Sequence, residues 1–220
     1  EGTRLKPHTD HCPKSMLRVN GKPILEILIE QCIDNGFRRF YLSVNYLKEQ
    51  IIEYFNDGSQ WGVAINYLLE NEPLGTAGSL QLLPSSVKEP FLVLNGDVLT
   101  RVRARNLLDF HNKNKAQATL CAHAHELMVP FGVVQTNGVE LTGFEEKPVY
   151  RHFVNAGVYV IDPQLLCLLK KDKSTDMPSL LQAAQKDGNR VIVFPIHEYW
   201  IDVGRPESLQ EAEKSWGISM

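Results

Sequence analysis

The sequence predicts an α/β fold with a mainly parallel central sheet, on the basis of its length, its alternating patterns and one apolar run. The chain has 220 residues, which is enough for one α/β domain over residues 1–220 with a substantial core. Short strand-like runs alternate with segments of helical spacing, as in βαβ units with right-handed crossovers. Residues 91–94 are continuously apolar, which indicates a central strand buried on both faces.

The first half of the chain contains two strand and helix alternations. Residues 23–35 carry one apolar stripe at helical spacing, with proline in the first turn and Gly36 as a C-terminal cap. The β-rich runs at residues 40–44 and 63–69 are predicted strands. Residues 47–55 between them have helical spacing, so this region is predicted to be a βαβ unit.

The second half continues the alternation and then departs from it. The predicted helices cover residues 106–112, 164–169, 179–186 and 206–214. The predicted strands cover residues 116–121, 154–161, 191–194 and 199–204. From residue 131 the pattern changes to two extended segments around Asn137-Gly138, which is a hairpin signal. We therefore expect a β-rich flap at about residues 131–161, inserted into the sheet.

The composition is that of an ordinary globular protein, and it argues against several classes of partner. Hydrophobic residues make up 43% of the chain and charged residues 22%, which disfavours disordered and fibrous proteins. The formal net charge of −3 disfavours a general nucleic-acid binder. No apolar run approaches the ~18 residues of a membrane span. Neither a nucleic acid nor a membrane is an expected partner.

The four cysteines are widely scattered along the chain. They are Cys12, Cys32, Cys121 and Cys167. They form no Cys-x-x-Cys pair, so we predict neither a zinc site nor a disulfide framework but reduced, packed thiols in a cytoplasmic protein. His123 and His125 would share one face of a strand, where surface or packing roles are favoured over metal binding.

The N-terminal segment is locally basic in a chain whose net charge is negative. Residues 1–25 contain five basic and two acidic residues, the basic ones being Arg4, Lys6, Lys14, Arg18 and Lys22. Gly2 and Gly21 allow close backbone approach, so the segment has the features of a polyphosphate-binding loop that leads into a helix. A solvated basic surface loop is the alternative on local composition.

Two carboxylates occupy positions that suggest a metal site. Asp97 directly follows the apolar run, and a carboxylate at the carboxyl end of a buried parallel strand suits a divalent cation. A cap of the following turn is the alternative. Asp202 lies between apolar neighbours, where a carboxylate is costly unless it has a partner.

Two further segments place polar residues near predicted strand ends. Gly75 and Thr76 follow the strand at residues 63–69 and can bring backbone amides to a ligand, or they form a tight turn and a helix N-cap. Glu146 and Lys147 end the predicted flap hairpin and point to opposite sides. An exposed, ion-rich turn is the alternative for this pair.

Eight motifs in one order resemble those of sugar-1-phosphate nucleotidyltransferases. They lie at residues 2–5, 13–14, 21–23, 75–78, 95–97, 145–148, 155–157 and 200–204. The resemblance spans the whole chain, and the shared order makes it much more specific than any single motif. It implies a Rossmann-like three-layer αβα fold and a reaction in which an NTP and a sugar 1-phosphate give an NDP-sugar and pyrophosphate.

The resemblance also implies roles for individual residues. Catalytic roles fall on Arg4, Lys14, Asp97 and Asp202, nucleotide binding on Gly2, Thr3, Gly75 and Thr76, and sugar-phosphate binding on Gly132, Glu146, Lys147, Asn155 and Gly157. Asp97 and Asp202 correspond to the ligands of a Mg²⁺ cofactor. The segment at residues 75–78 looks most like guanylyltransferases of the mannose-1-phosphate type, so GTP is the favoured nucleotide and UTP is next.

Several alternatives remain open beside this expectation. They are a uridylyltransferase for another sugar 1-phosphate and a non-catalytic regulatory subunit on the same fold, because fold alone does not establish activity. The sequence is compatible with a homo-oligomer but does not determine the oligomeric state. The family usually opens with a strand before the position of Gly2, so the first strand is expected to be missing from these 220 residues.

Overall fold

The computed structural model describes residues 5, 7 and 9–217. The helices are α1 (Ile24–Asp34), α2 (Lys48–Phe55), α3 (Gly75–Gly78), α4 (Ala104–Lys113), α5 (Met177–Lys186) and α6 (Pro206–Trp216). The strands are β1 (Arg18–Val19), β2 (Lys22–Pro23), β3 (Arg39–Val44), β4 (Ala64–Leu69), β5 (Phe91–Leu94), β6 (Val98–Thr100), β7 (Ala118–Met128), β8 (Gly132–Asn137), β9 (Glu140–Glu146), β10 (Val149–Ile161), β11 (Val191–Ile196) and β12 (Trp200–Asp202).

The central sheet has the strand order β11-β7-β10-β5. Strand β11 pairs with β7 in parallel, whereas β10 pairs antiparallel with both β7 and β5. Strands β5, β7 and β11 therefore run in one direction and β10 runs against them. Three of the four strands share one direction, but two of the three pairings are antiparallel, so this sheet is mixed. The reversed β10 needs no crossover helix because it returns directly from the flap that follows β7.

A separate parallel pair carries the first βαβ unit. Strands β3 and β4 pair from Arg39 with Ala64 to Val44 with Leu69, and α2 connects them. The two strands therefore end side by side at their carboxyl ends. The apolar spacing at residues 47–55 and the two β-rich runs correctly predicted this unit.

The core shows why the fold has three layers. Tyr159 and Ile161 of β10 pack with Leu180 of α5, whereas Val158 and Val160 pack with the helix α4. Because successive side chains of a strand point to opposite faces, α4 and α5 cover opposite faces of the central sheet. This arrangement gives the predicted αβα layers.

Three sequence predictions of local structure are corrected. Strand β5 is only half-buried along its length, because β10 pairs along one edge and no described strand pairs along the other. The segment Pro163–Leu168 is a 3₁₀ helix that begins at Asp162, whose carboxylate accepts from the Gln164 amide, and not an α-helix. Strand β7 extends well beyond the predicted residue 121, since its polar outer half hides the strand pattern.

The flap is a two-stranded hairpin on an extension of the central sheet. Strands β8 and β9 pair antiparallel from Gly132 with Glu146 to Asn137 with Glu140, as the Asn-Gly signal predicted. The outer halves of β7 and β10 carry this hairpin. The inner half of β10, from Ala156 to Ile161, is buried in the central sheet. The flap therefore ends near residue 155 and does not extend to residue 161.

The surface of the flap is unusually apolar. Ten of the fourteen exposed large hydrophobic residues in the described part of the chain lie on the flap or on the outer half of β7 that carries it, namely Leu127, Met128, Phe131, Val134, Val139, Leu141, Phe144, Val149, Tyr150 and Phe153. Over the described residues, every helix is too short or too polar to cross a membrane.

Candidate active site

The lysine of the N-terminal segment lies on a single 3₁₀ turn. This turn, Lys14–Met16, follows Pro13, whose carbonyl accepts from the Met16 amide at 2.8 Å. The Lys14 ammonium contacts the carboxylate of Asp97, and its Nζ is 3.7 Å from Oδ1 of Asp202. A lysine on a tight turn thus meets two carboxylates that come from distant parts of the sequence.

A short antiparallel ladder brings the two carboxylates together. Strand β6 pairs with β12, and Val98 lies opposite Asp202. The amide of Val203 donates to the carbonyl of Asp97 at 2.9 Å. Because Asp97 immediately precedes β6 and Asp202 ends β12, this pairing places their side chains beside the same lysine. Asp202 thus has, in Lys14, the partner that its position between apolar neighbours requires.

Gly204 lies close to the carboxylate of Asp202. A Cβ added at Gly204 would lie 2.9 Å from Oδ1 of Asp202 and 3.7 Å from Nζ of Lys14. A side chain at residue 204 would therefore displace the Asp202 carboxylate, because a contact under 3.0 Å forces one of the atoms to move. The glycine of the motif at residues 200–204 therefore has a direct structural reason.

The two carboxylates fit a Mg²⁺ ion that shares its ligands with phosphate. Mg²⁺ usually takes one or two carboxylates and completes its octahedron with water and phosphate oxygens. Asp97 and Asp202 both lie beside one cation, the Lys14 ammonium, so their oxygens are suitably placed to supply the two carboxylate ligands of a Mg²⁺ ion. Within the described residues, no cluster of three or more His, Cys, Asp or Glu side chains could hold a metal by itself.

A cavity of about 390 Å³ opens beside Lys14 and Asp97. It lies at the carboxyl ends of β3 and β5, where ligands of open α/β sheets bind. Its lining consists of Thr9, Cys12, Pro13, Lys14, Ser15, Ser43, Val44, Asn45, Tyr46, Ile51, Thr76, Ser79, Leu80, Val93, Leu94, Asn95, Gly96 and Asp97.

The polar residues after β3 were missed by sequence reasoning. Ser43, Asn45 and Tyr46 line the cavity. The amide nitrogen of Asn45 donates to the carbonyl of Glu70 at 2.9 Å, and the hydroxyl of Ser43 donates to the Glu70 carboxylate. Asp97 was predicted because ligands bind at the carboxyl ends of parallel strands. The same argument would have predicted these three residues, since they end or follow the predicted strand at residues 40–44.

The segment Gly75–Gly78 packs against the start of α5. Gly75 has a φ of +77°, and a Cβ there would lie 2.7 Å from the carbonyl oxygen of Thr175. The hydroxyl of Thr76 accepts from the amide of Met177 at 2.8 Å, at the first residue of α5. Thr76 therefore holds the start of a helix, and it also lines the cavity.

The segment at residues 155–157 forms a bulge where β10 enters the core. Oδ1 of Asn155 accepts from the amide of Gly157 and from the hydroxyl of Tyr159, each at 2.9 Å. A Cβ at Gly157 would lie 2.8 Å from Nδ2 of Asn95, and its φ is +70°. The amide of Asn95 donates to the Gly157 carbonyl at 2.8 Å, so the bulge is joined directly to the turn that carries Asp97.

The remaining predicted residues fall into two groups. Gly132, Glu146 and Lys147 lie together in the flap, on a different sheet from β6 and β12, with Gly132 opposite Glu146. The amide of Lys147 donates to the carbonyl of Phe131 at 3.3 Å. The other group, Gly2, Thr3 and Arg4, lies outside the described residues.

His123 on β7 has a packing role near the site, whereas His125 is exposed. His123 stacks on Trp200 of β12, with ring centroids 5.1 Å apart and planes at 25°. Burial lowers the pKa of His123, and the nearby His125 and His197 lower it further. The indole nitrogen of Trp200 donates to the carbonyl of Ala156 at 2.8 Å. These contacts connect β12 to the central sheet.

The fold and the arrangement of motifs define a nucleotidyltransferase domain, and comparison with known proteins gives the same class. A model of the family described as nucleotidyl transferase matches residues 1–217, and this chain belongs to that family.

The matching curated proteins include mannose-1-phosphate guanyltransferases. The one from Yarrowia lipolytica is 34% identical over an aligned length of 215 residues, and the match covers 94% of this chain and 59% of the relative. The catalytic subunit beta of mannose-1-phosphate guanylyltransferase from Drosophila pseudoobscura pseudoobscura is 32% identical over 214 residues, 94% of this chain and 57% of the relative. The chain thus spans about three fifths of the length of these relatives.

Solved structures support the fold. A structure from Bacillus anthracis assigned as a glucose-1-phosphate thymidylyltransferase has a TM-score of 0.79 and 20% identity, and covers 100% of this chain and 93% of its own. HddC from Yersinia pseudotuberculosis, complexed with GMP-PN, has a TM-score of 0.75 and 23% identity, with 97% of this chain and 94% of that chain covered. The nucleotidyltransferase fold predicted from the sequence is confirmed.

Proposed function

We propose that this chain transfers a nucleotidyl group from an NTP to a sugar 1-phosphate, releasing pyrophosphate. GTP is the favoured nucleotide and a mannose-type sugar the favoured acceptor, because the curated relatives are named mannose-1-phosphate guanyltransferases. The observation that carries the proposal is the convergence of Lys14, Asp97 and Asp202 beside a cavity at the carboxyl ends of the sheet strands.

The proposed reaction is an in-line displacement at the α-phosphorus. An oxygen of the sugar phosphate forms a bond to this phosphorus, the bond to the bridging oxygen of the β-phosphate breaks, and the electron pair leaves with pyrophosphate. The attacking oxygen is already anionic, so no side-chain nucleophile or base is required. Positioning and charge stabilisation are then the main tasks of the protein.

The charged residues of the site divide these tasks by the sign of their charge. Lys14 would offset the negative charge that develops on pyrophosphate, and Arg4, which lies outside the described residues, is proposed to share this role from its sequence position. Asp97 and Asp202 would hold Mg²⁺. When bound, Mg²⁺ supplies charge neutralisation to the α-phosphate and to the incoming sugar phosphate.

Substrate recognition is proposed for two sets of residues. Backbone amides at Gly75 and Thr76 would lie against the nucleotide, and Gly2 and Thr3 would lie along its phosphates. The hydroxyl of Thr76 accepts a hydrogen bond from the first residue of α5, so only the backbone of Thr76 is assigned to the nucleotide. The sugar phosphate would be bound by Gly132, Glu146, Lys147, Asn155 and Gly157. The bulge supports this for Asn155, because Oδ1 accepts from Gly157 and Tyr159, the residue is exposed, and its side-chain NH₂ group remains to donate.

A direct test is release of pyrophosphate and formation of an NDP-sugar across a matrix of four NTPs and several hexose 1-phosphates. We expect turnover with GTP and mannose 1-phosphate or a related hexose 1-phosphate, identified by the mass of the product. Turnover only with UTP would establish the uridylyltransferase alternative. Nucleotide binding without turnover on any pair would overturn the enzymatic proposal in favour of a regulatory subunit.

We also propose that the chain forms a homo-oligomer through the flap. The ten exposed apolar side chains are divided between the two faces of the flap, because neighbouring residues of a strand, such as Val149 and Tyr150, point to opposite sides. A concentration of exposed apolar side chains marks a protein–protein contact, and a second copy of this chain is the proposed partner.

A further inference from the structure

We propose that Lys14 is an internal counter-ion, which occupies the cation position between Asp97 and Asp202 until a nucleotide draws it away. This inference rests on the proposed function, because the ligand that releases Lys14 would be a nucleotide with its metal. It assigns Lys14 a role before the reaction, in addition to charge stabilisation during it.

In the described part of the chain, the Lys14 ammonium lies where a cation shared by the two carboxylates would lie. The Lys14 ammonium contacts Oδ2 of Asp97, and its Nζ is 3.7 Å from Oδ1 of Asp202. A metal bound to both carboxylates would need these oxygens at about 2.0–2.1 Å, so it would overlap with the ammonium group.

The neighbouring cavity offers Lys14 a second position. Lys14 and Asp97 both line this cavity of about 390 Å³. A lysine carries a compact charge on a flexible four-carbon stem, so it can turn from one anionic partner to another by rotating about single bonds. Phosphate groups in the cavity would supply that second partner.

Two consequences follow for binding. The free protein should bind a divalent cation weakly, because the cation must compete with Lys14 for both carboxylates. The nucleotide and the cation should then bind cooperatively, and by linkage each increases the affinity for the other by the same factor.

The test is a titration of the nucleotide-free protein with Mn²⁺, followed by electron paramagnetic resonance of free Mn²⁺. We expect Lys14→Met to bind Mn²⁺ at least ~10-fold more tightly than the unaltered protein, since it lacks the competing ammonium. The matched control is Lys22→Met, which removes an exposed lysine paired with Glu30 outside the site. The control should bind Mn²⁺ like the unaltered protein.

A second variant shows where the added affinity resides. Combining Lys14→Met with Asp97→Asn should abolish the gain in Mn²⁺ affinity. If Lys14→Met folds poorly, Lys14→Gln should show the same gain in Mn²⁺ affinity. Equal or weaker Mn²⁺ binding by both Lys14 variants, in protein with an unchanged circular dichroism spectrum, would overturn the proposal.

The titration uses no substrate, so it can fail or succeed independently of the proposed function. A gain in Mn²⁺ affinity in a protein that makes no NDP-sugar would support the counter-ion role and reject the activity. Turnover by the unaltered protein without any gain in the variants would support the activity and reject the counter-ion role.

Discussion

Asp202 shows how a single residue depends on its surroundings for its chemistry. Its neighbours Ile201 and Val203 are buried, whereas its own side chain is 55% exposed and faces Lys14. In sequence it is a carboxylate between apolar residues. In the fold, the alternation of β12 directs the apolar side chains into the core and the carboxylate to the site.

The two carboxylates should be essential for turnover and not for folding. Replacing Asp97 or Asp202 by asparagine removes one positioned charge, and we expect turnover to fall by ~100 to 1000-fold. The measurement is the initial rate of pyrophosphate release at saturating substrates. Asp109→Asn on the exposed face of α4 is the control and should retain full activity. A loss of less than threefold for Asp97→Asn would remove that residue from the mechanism.

The cysteines should differ strongly in reactivity. Burial raises the pKa of both Cys32 and Cys121 to about 12, whereas Cys167 is exposed. Because the thiolate is the reactive form, native protein at pH 8 should be alkylated by iodoacetamide at Cys167 and not at these two buried positions. Peptide mass spectrometry measures this, with denatured protein as the control in which all thiols react. Labelling of Cys121 in native protein would contradict its burial.

At the scale of elements, the start of a helix can depend on a hydrogen bond from a distant part of the chain, as α5 shows. The sequence predicted α5 from its apolar spacing. What the sequence did not show is that its first amide donates to Thr76, a residue about one hundred positions earlier. The Gly75–Gly78 segment thereby joins the end of β4 to α5, and its glycine at residue 75 accommodates the close carbonyl of Thr175.

Loss of the Thr76 hydroxyl should destabilise the start of α5. We expect Thr76→Val to reduce the free energy of unfolding by about 1 kcal/mol, since an amide at a helix start loses its acceptor. Urea denaturation followed by circular dichroism gives this value. Thr76→Ser keeps the hydroxyl and should lose less than half as much. Equal losses in the two variants would mean that the methyl group, not the hydrogen bond, matters.

A buried histidine on α4 should make the fold sensitive to acid. Burial lowers the pKa of His111 below its ordinary value of 6.5, the nearby Asp162 opposes this effect, and Nδ1 lies 2.9 Å from Oγ1 of Thr119. Below about pH 6.5 the unfolded chain therefore binds a proton that folded His111 does not, so stability falls as pH decreases through that value.

The measurement is the free energy of unfolding from urea titrations between pH 7.5 and 5.5. We expect His111→Gln to be less stable at pH 7.5 but to lose less stability on acidification than the unaltered protein. An unchanged slope with pH would show that His111 does not contribute to the acid sensitivity.

At the scale of the whole molecule, the polar site and the apolar flap are connected by one strand. Strand β10 carries Asn155 at the bulge and Phe153 two residues earlier on the same face. An ion pair between Arg151 and Glu126, at 2.8 Å, joins β10 to β7 further out. Assembly through the flap would therefore act close to the proposed sugar side of the site.

Charged residues on the flap should dissociate the proposed oligomer. We expect Phe144→Glu, and independently Phe153→Glu, to shift the molar mass from that of an oligomer to that of a monomer in size-exclusion chromatography with light scattering. Phe144 is 70% exposed and Phe153 is 67% exposed, so neither change removes core packing. Val193→Glu, at a residue that is 50% exposed on β11, is the control and should leave the mass unchanged. A monomeric unaltered protein would reject the oligomer.

Most helices and strands were predictable because their signals lie in neighbouring residues. The apolar stripe of α1, the continuous run of β5 and the Asn-Gly turn of the flap are local patterns, and each element appears within a few residues of its predicted bounds. The outer half of β7 was missed because its histidines and glutamate do not alternate with buried residues. The 3₁₀ helix Pro163–Leu168 was assigned as α because both helix types share similar spacing over six residues.

The sequence by itself determined the family and the alternation of elements, since motif order and periodicity are properties of adjacent residues. Only the tertiary structure decided that β10 runs against its neighbours, that Thr76 holds the start of α5, and that Lys14 lies between Asp97 and Asp202. These features depend on strand pairing across long sequence separations. A local sequence pattern does not show which distant carboxylate a lysine contacts in the folded protein.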